Sequence, residues 1–333
     1  MSKIRAVITG VGGAVPQYRL TNDELSTMVD TSDEWILKRI GIKERRVLKP
    51  EEGRGISYLG VKAVEDLQRK HPFDPSEIEA VVFATSTPDY ILPNSAALVA
   101  AQTGMTNAFC FDMEAACSGF IYALEVADGL IATGRYKKIM VISGDVLSVV
   151  TDYTDRNTCP IFADGCGCAL VEATEEDLGV IDSIHQSDGS SPESLHMYGG
   201  GSANPSTHET LDQRLHYIWQ DGKVVFKRAV SSMVDSCEQL VKRNNLTKDQ
   251  IDWVVPHQAN MRIIEAVANY LDTPMEKVMV NIEKYGNTSA GTIPLCLWEW
   301  ESKLKKGDNL ILTAFGAGFT WGATYLKWGY DPK

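Results

Sequence analysis

Ala108-Phe109-Cys110-Phe111-Asp112-Met113 is short and mostly apolar, and it leads within two residues to Ala115-Ala116-Cys117-Ser118-Gly119. The first stretch predicts a buried strand. Beyond the second, Phe120, Ile121, Leu124, Ala127, Leu130 and Ile131 recur at helical spacing until Gly134 and Arg135. The small residues between them suit a tight strand-to-helix elbow. A cysteine there sits over a helix N-terminus, where free N–H groups and the dipole favour thiolate over thiol. Cys117 is therefore a candidate nucleophile. Cysteine statistics alone favour a small buried hydrophobe, so the rest of the chain must decide.

Bulk properties narrow the field. With 333 residues, 44% apolar and 23% charged, the chain has an ordinary globular composition and length enough for two domains or a duplicated one. A net charge of −12 with no basic stretch argues against nucleic acid as a partner. Seven cysteines without a Cys-x-x-Cys pair indicate neither a disulfide framework nor a zinc site, and no metal is expected. Ile4 to Ile8 reads as a strand, leaving no room for a signal peptide, and no apolar run approaches membrane-spanning length. A reducing cytoplasm is the expected location.

Taken in order, Thr9-Gly10-Val11-Gly12-Gly13 reads as a glycine loop after the first strand. Thr21 and the Thr31-Ser32 pair cap two helices, the second carrying Trp35 and Arg39; Gly53 to Arg69 and Asn94 to Thr103 are further helices. Ile78 to Ala84 and Lys138 to Ser143 are buried strands, and Cys166 to Glu172 ends this half. Residues 187 to 215 predict a long ordered loop. Asp221-Gly222 predicts a hairpin turn between Tyr217-Ile218-Trp219 and Val224-Val225-Phe226, followed by a helix from about Val230 to Asn244.

The pattern then restarts at Ile251-Asp252-Trp253-Val254-Val255. Ile78 to Cys117 spans 39 residues, and Ile251 to Ser289 spans 38. From Cys117 to the Lys138 strand is 21 residues, and from Ser289 to the Asn309 strand is 20. A diverged duplication follows, with halves at 1–175 and 176–333 and Asn287-Thr288-Ser289-Ala290-Gly291 at the second elbow. Strand ends of the second half present His257, Asn287 and the Phe315-Gly316-Ala317-Gly318 loop, where an open α/β sheet places its ligands. A cysteine, a histidine, an asparagine and a loop of backbone N–H groups converge.

Five motifs carry a resemblance. Asp30-Thr31-Ser32-Asp33-Glu34-Trp35-Ile36, Ala115 to Gly119, Pro256-His257-Gln258-Ala259-Asn260, Gly286-Asn287-Thr288-Ser289 and Phe315-Gly316-Ala317-Gly318-Phe319-Thr320-Trp321-Gly322 together resemble the β-ketoacyl-acyl-carrier-protein synthase III family, in order and along the whole chain. The resemblance implies a thiolase-like, duplicated five-layer αβαβα fold with two mixed, mostly parallel sheets. It implies the initiating condensation of fatty-acid synthesis, with acyl-CoA and malonyl-acyl-carrier protein as substrates, a homodimer, and no permanently bound cofactor. Cys117 would carry the acyl group, and His257 and Asn287 would hydrogen-bond the malonyl thioester oxygen. The N–H groups of Cys117 and Ala317 would form the oxyanion hole, and Phe315 would line the acyl pocket. Trp35, Arg39, Arg156 and Asn260 would bind CoA, and Lys227, Arg228 and Arg262 would receive the acidic carrier. Two departures stand out. Ala317 replaces a frequent glycine, and Asn269 and Tyr270 replace frequent lysines, which puts the carrier contact in question.

Other readings are weaker. A biosynthetic thiolase needs a second catalytic cysteine near the C-terminus, and Phe315 to Gly322 contains none. A plant-type polyketide synthase shares Cys-His-Asn on a longer chain, and the sequence around Cys117 lacks the papain signature. A specialised-metabolite acyltransferase of the same family is the alternative enzyme. A non-catalytic acyl- or carrier-binding scaffold is the alternative outside enzymes.

Overall fold

The computed structural model describes residues 4–331. One sheet comprises β1 (Arg5–Ala14), β2 (Ala80–Ala84), β3 (Phe109–Met113), β4 (Lys138–Val146) and β5 (Asp164–Thr174), in the order β1-β5-β4-β2-β3. The other comprises β6 (Gly179–Ser187), β7 (Trp253–Pro256), β8 (Asn309–Gly316) and β9 (Thr320–Lys327), in the order β7-β8-β9-β6. Followed from β1 or from β6, both sheets pair antiparallel, antiparallel, then parallel. In the first sheet β3 adds a parallel edge. In the second, only a single parallel bridge from Val254 to Val278 stands on that side. The restart in the sequence is thus a repeated topology. Both sheets are mixed as expected, but mostly parallel pairing needs correction, since four of the seven pairings are antiparallel. The reason is visible at β8, which turns into β9 through residues 317–319, far too few for a parallel crossover.

Among the described residues, the seven longest helices are α1 (Asp33–Arg39), α2 (Gly55–Lys70), α3 (Ser95–Thr103), α4 (Gly119–Ala132), α5 (Gly222–Arg243), α6 (Met261–Tyr270) and α7 (Thr292–Trp300). Alternate strand residues face opposite ways. Val81 and Phe83 of β2 pack with Leu59 and Leu67 of α2 and Val99 of α3. Val82 of the same strand packs with Phe120 and Leu124 of α4, Cys296 of α7, and Val255 and Leu312 of the second sheet. Ile311 of β8 faces the far side, against Met233 and Leu240 of α5 and Ile264 of α6. The layers run helix, sheet, helix, sheet, helix, with α4 and α7 in the middle.

Two local expectations fail for identifiable reasons. Thr9 to Gly13 is strand throughout, not a loop. A Cβ on Gly12 would stand 2.2 Å from the Ala63 carbonyl oxygen, so the missing side chain lets α2 press directly on the strand. The Asp221-Gly222 hairpin turn is instead the start of α5. The Asp221 carboxylate caps the helix, accepting from the N–H groups of Lys223 and Val224 at 3.0 and 3.2 Å. Burial of Ala229, Met233, Cys237 and Leu240 in one stripe outweighs the short β-prone run before it. Residues 187–215 carry a short helix, His208–Asp212, and a two-residue strand, Leu195–His196, pairing with Trp219–Gln220.

Candidate active site

Each elbow is a left-handed residue just before a helix of the middle layer, preceded by strand β3 in the first half and by the short helix Ile282–Tyr285 and an isolated bridge at Asn287 in the second. Ala116 has φ 43° and Ser289 φ 51°, a conformation costly for any residue with a side chain. In both, a side chain two residues upstream accepts the strained N–H: Glu114 Oε1 from Ala116 at 2.8 Å, and Asn287 Oδ1 from Ser289 at 2.8 Å. The structural equivalents are therefore Ala116 and Ser289, one residue off the alignment of Cys117 with Ser289. Asn287 corresponds to Glu114. Because its Oδ1 is committed to Ser289, Asn287 turns its Nδ2 amide, a pure donor, toward the cavity that it lines.

That cavity, about 820 Å³, is lined by Cys117, His257, Asn287, Phe315 and Gly316 together with Trp35, Arg39, Asn260 and Arg262. The β8–β9 turn is pinned against the residues flanking Cys117. Thr320 donates to the Ala115 carbonyl at 2.8 Å, and Ser118 donates to the Thr320 carbonyl at 3.0 Å. A Cβ on Gly316 would fall 2.6 Å from the Cys117 nitrogen, so only glycine allows this approach. Ala317, next in the chain, begins the turn and is half-buried.

The electrostatics correct one expectation. Although Cys117 is only half-buried as a residue, desolvation pushes its thiol up to about 12. The Ser289 hydroxyl opposes the shift, and Asp145 and Glu114 add to it. The resting group is the thiol, because burial outweighs the helix N-terminus beneath it. His257 is 3% exposed, and burial pushes it down to about 3 from the ordinary 6.5. It is neutral across the physiological range. A depressed folded-state pKa means the unfolded chain binds the extra proton between pH 6.5 and about 3. Stability from this group is complete above pH 6.5 and is lost as the pH falls. Urea titrations should show a loss of up to ~1.4 kcal/mol per pH unit from this one residue in that window, absent in His257→Gln. Equal slopes in both proteins would contradict the buried neutral imidazole.

Other expected residues are placed less uniformly. The Arg39 and Arg156 guanidinium carbons lie 4.9 and 5.0 Å from the Trp35 ring centroid, and Arg156 donates to Asp30 at 3.1 Å. Arg262 is exposed at the cavity mouth, 5.3 Å over the Phe226 ring. Lys227 is exposed outside the cavity lining, and Arg228 is paired with Asp188. Tyr270 donates to Glu238 at 2.7 Å. Lys223, Leu195 and Trp219 line the cavity and were missed. The hairpin reading hid Lys223; the apolar positions 225, 229 and 233 continuing from Asp221 were the helical signal that reveals it.

Comparison with known proteins decides the family. The family model for 3-oxoacyl-[acyl-carrier-protein] synthase III matches residues 111–189, and that for its C-terminal part matches 241–328. A β-ketoacyl-[acyl-carrier-protein] synthase III from Azobacteroides pseudotrichonymphae is 72% identical over 331 residues, 99% of each chain. The chain belongs to the β-ketoacyl-acyl-carrier-protein synthase III family. The crystal structure of the Aquifex aeolicus synthase III superposes with a TM-score of 0.89 at 40% identity, over 97% of this chain and all of that one. The priming β-ketosynthase of the R1128 polyketide pathway gives 0.90 at 30% identity, over 100% and 99%. The chain is thus an acyl-transferring condensing enzyme with a thiolase-like fold. Among the described residues, no helix is long and apolar enough to cross a membrane.

Proposed function

We propose that the chain condenses an acyl-CoA with malonyl-acyl-carrier protein, giving 3-oxoacyl-carrier protein, carbon dioxide and CoA. The observation that carries this is the single cavity joining Cys117, His257 and Asn287 to the Trp35–Arg39 mouth. In the first half-reaction the Cys117 sulfur attacks the thioester carbonyl, and CoA leaves as the thiol with the proton Cys117 gives up. In the second, malonyl-carrier protein loses carbon dioxide, and the negative charge moves onto its thioester oxygen. A neutral His257 and the Asn287 Nδ2 donate to that oxygen, a role for hydrogen-bond donors rather than a strong base. The carbanion attacks the acyl carbonyl, whose oxygen faces the N–H groups of Cys117 and Ala317, and the sulfur is expelled as thiolate and takes one proton from solvent to return to the thiol. A thiol high in pKa gains most from donors that act on charge only as it develops. Phe315, 4% exposed, walls the acyl chain.

Trp35 with its two guanidinium neighbours forms a platform for the CoA adenine, and Asn260 belongs to the same mouth. Trp35→Ala should raise KM for acyl-CoA roughly tenfold, about the 1–3 kcal/mol of one stacked base, with kcat little changed. An unchanged KM would remove Trp35 from the CoA site. The carrier phosphopantetheine enters past Arg262, with Lys227 and Arg228 on the adjoining α5 surface. No metal or resident cofactor takes part, and the enzyme works in the cytoplasm. The halves 1–175 and 176–333 then divide the labour, the first supplying Cys117 and the second His257 and Asn287. A second copy covers β3, an edge strand with Phe109 exposed, and the Tyr90-Ile91-Leu92 loop, where Ile91 and Leu92 are 87% and 84% exposed. Sedimentation at twice the 36.7 kDa chain mass is expected; a monomer would refute the pairing.

The reaction itself is tested by supplying acyl-CoA of increasing chain length with malonyl-carrier protein. 3-Oxoacyl-carrier protein and free CoA should form in equal amounts. Specialised-metabolite acyl transfer is less favoured, since the polyketide priming enzyme shares 30% of its residues with this chain against 72% for the synthase III relative. A scaffold would form no product.

A further inference from the structure

Thr292, the first residue of α7, is 2% exposed, and its hydroxyl oxygen stands 2.7 Å from His257 Nδ1. The same oxygen lies 3.1 Å from the Ser289 carbonyl. A hydroxyl has one proton to give, so the two contacts exclude different states of His257. If the proton points to Ser289, the threonine oxygen can only accept from Nδ1, and Nε2 is left bare. If it points to His257, Nδ1 is the acceptor and the ring carries its hydrogen on Nε2. The Ser289 carbonyl already accepts the backbone N–H of Thr292 and needs no second donor. The shorter contact is the one to the ring.

We propose that Thr292 is a positioning residue that donates to His257 Nδ1 and thereby holds the histidine as the Nε2–H tautomer. The Nε2–H then faces the cavity as a donor beside the Asn287 amide. Nothing is transferred in this arrangement; the ring is neutral before and after, and the threonine hydrogen stays on its oxygen. Desolvation of His257 acts in the same direction, because it removes the doubly protonated ring that would donate without help. The serine-like elbow of the second half gains a purpose from this. Its strained Ser289 places one backbone carbonyl and, three residues later, one hydroxyl directly under the histidine. The inference rests on His257 acting as a donor to the malonyl thioester oxygen.

Nitrogen-15 NMR of the wild-type protein labelled at histidine, with His257 assigned by its loss in His257→Gln, reads the tautomer directly. Hydrogen on Nε2 is expected, and hydrogen on Nδ1 overturns the proposal whatever His257 does. Thr292→Val removes the donor while keeping the shape, and Thr292→Ser restores it. Malonyl decarboxylation should fall by about 10- to 100-fold in the valine variant and return to within about threefold in the serine variant. Acylation of Cys117 should fall far less, which separates a lost donor from a distorted site. Should the valine variant fail to fold, Thr292→Ala provides the same comparison. Full decarboxylation in a folded valine or alanine variant overturns the positioning role. If instead His257→Ala itself decarboxylates normally while the tautomer is as expected, the donor reading of His257 fails and the tautomer assignment stands.

Discussion

Incubation with acetyl-CoA or another short acyl-CoA should add one acyl mass to the protein, at Cys117 and at no other cysteine. Cys159, Cys166, Cys168, Cys237 and Cys296 are buried, and Cys110 is half-buried at the sheet edge. None of these six lines the cavity. Desolvation raises each of their thiols as it raises that of Cys117, so acidity does not select among them. What distinguishes Cys117 is its place in the cavity lining beside Gly316, whose added Cβ would fall 2.6 Å from the Cys117 nitrogen. Cys117→Ala should carry no acyl group and lose condensation by on the order of 10³-fold or more. An unmodified wild-type protein by mass spectrometry would favour the scaffold reading. A label on Cys110 would displace the nucleophile.

His257→Ala should keep the acylation step and lose decarboxylation. In the proposed mechanism the neutral imidazole would donate a hydrogen bond to an oxygen that becomes charged only in the second half-reaction. Removing one such donor costs about 10²- to 10³-fold at other oxyanion sites, and a comparable loss in malonyl decarboxylation is expected here. Acylation depends on Cys117 and its own backbone donors and should persist, visible as the acyl adduct. Equal loss of both steps would show that His257 serves the cysteine as well, contrary to the division proposed.

The second elbow shows how far local chemistry carries an inference. Spacing alone located Asn287 within the repeat, because two copies of one strand–elbow–helix unit must keep nearly equal lengths. It missed the register by one residue, since counting cannot detect which residue turns left-handed. The backbone of Ala116 and Ser289 settles that, and only then does Asn287 emerge as the partner of Glu114, with its oxygen committed and its amide free.

Cys117 illustrates the opposite limit. A helix N-terminus is a sequence-local feature and argues for thiolate. Burial is a sum over everything packed around the sulfur, and here it decides for the thiol. The same division holds for the turn at Asp221, where Asp221-Gly222 between two apolar triplets predicts a hairpin. The stripe from Ala229 to Leu240 against the second sheet forms a helix instead.

The amino-acid sequence by itself determined the repeat, the buried strands beginning near Ile78, Lys138 and Ile251 and the position of the elbows, and it singled out Cys117, His257 and Asn287 as candidates, because these rest on periodicity and on residue chemistry within short windows. The tertiary structure alone decided the protonation of the cysteine, the orientation of the Asn287 amide and the contact between Thr292 and His257. These depend on groups far apart in the chain whose distances, and whose exclusion of water, exist only after the layers have packed.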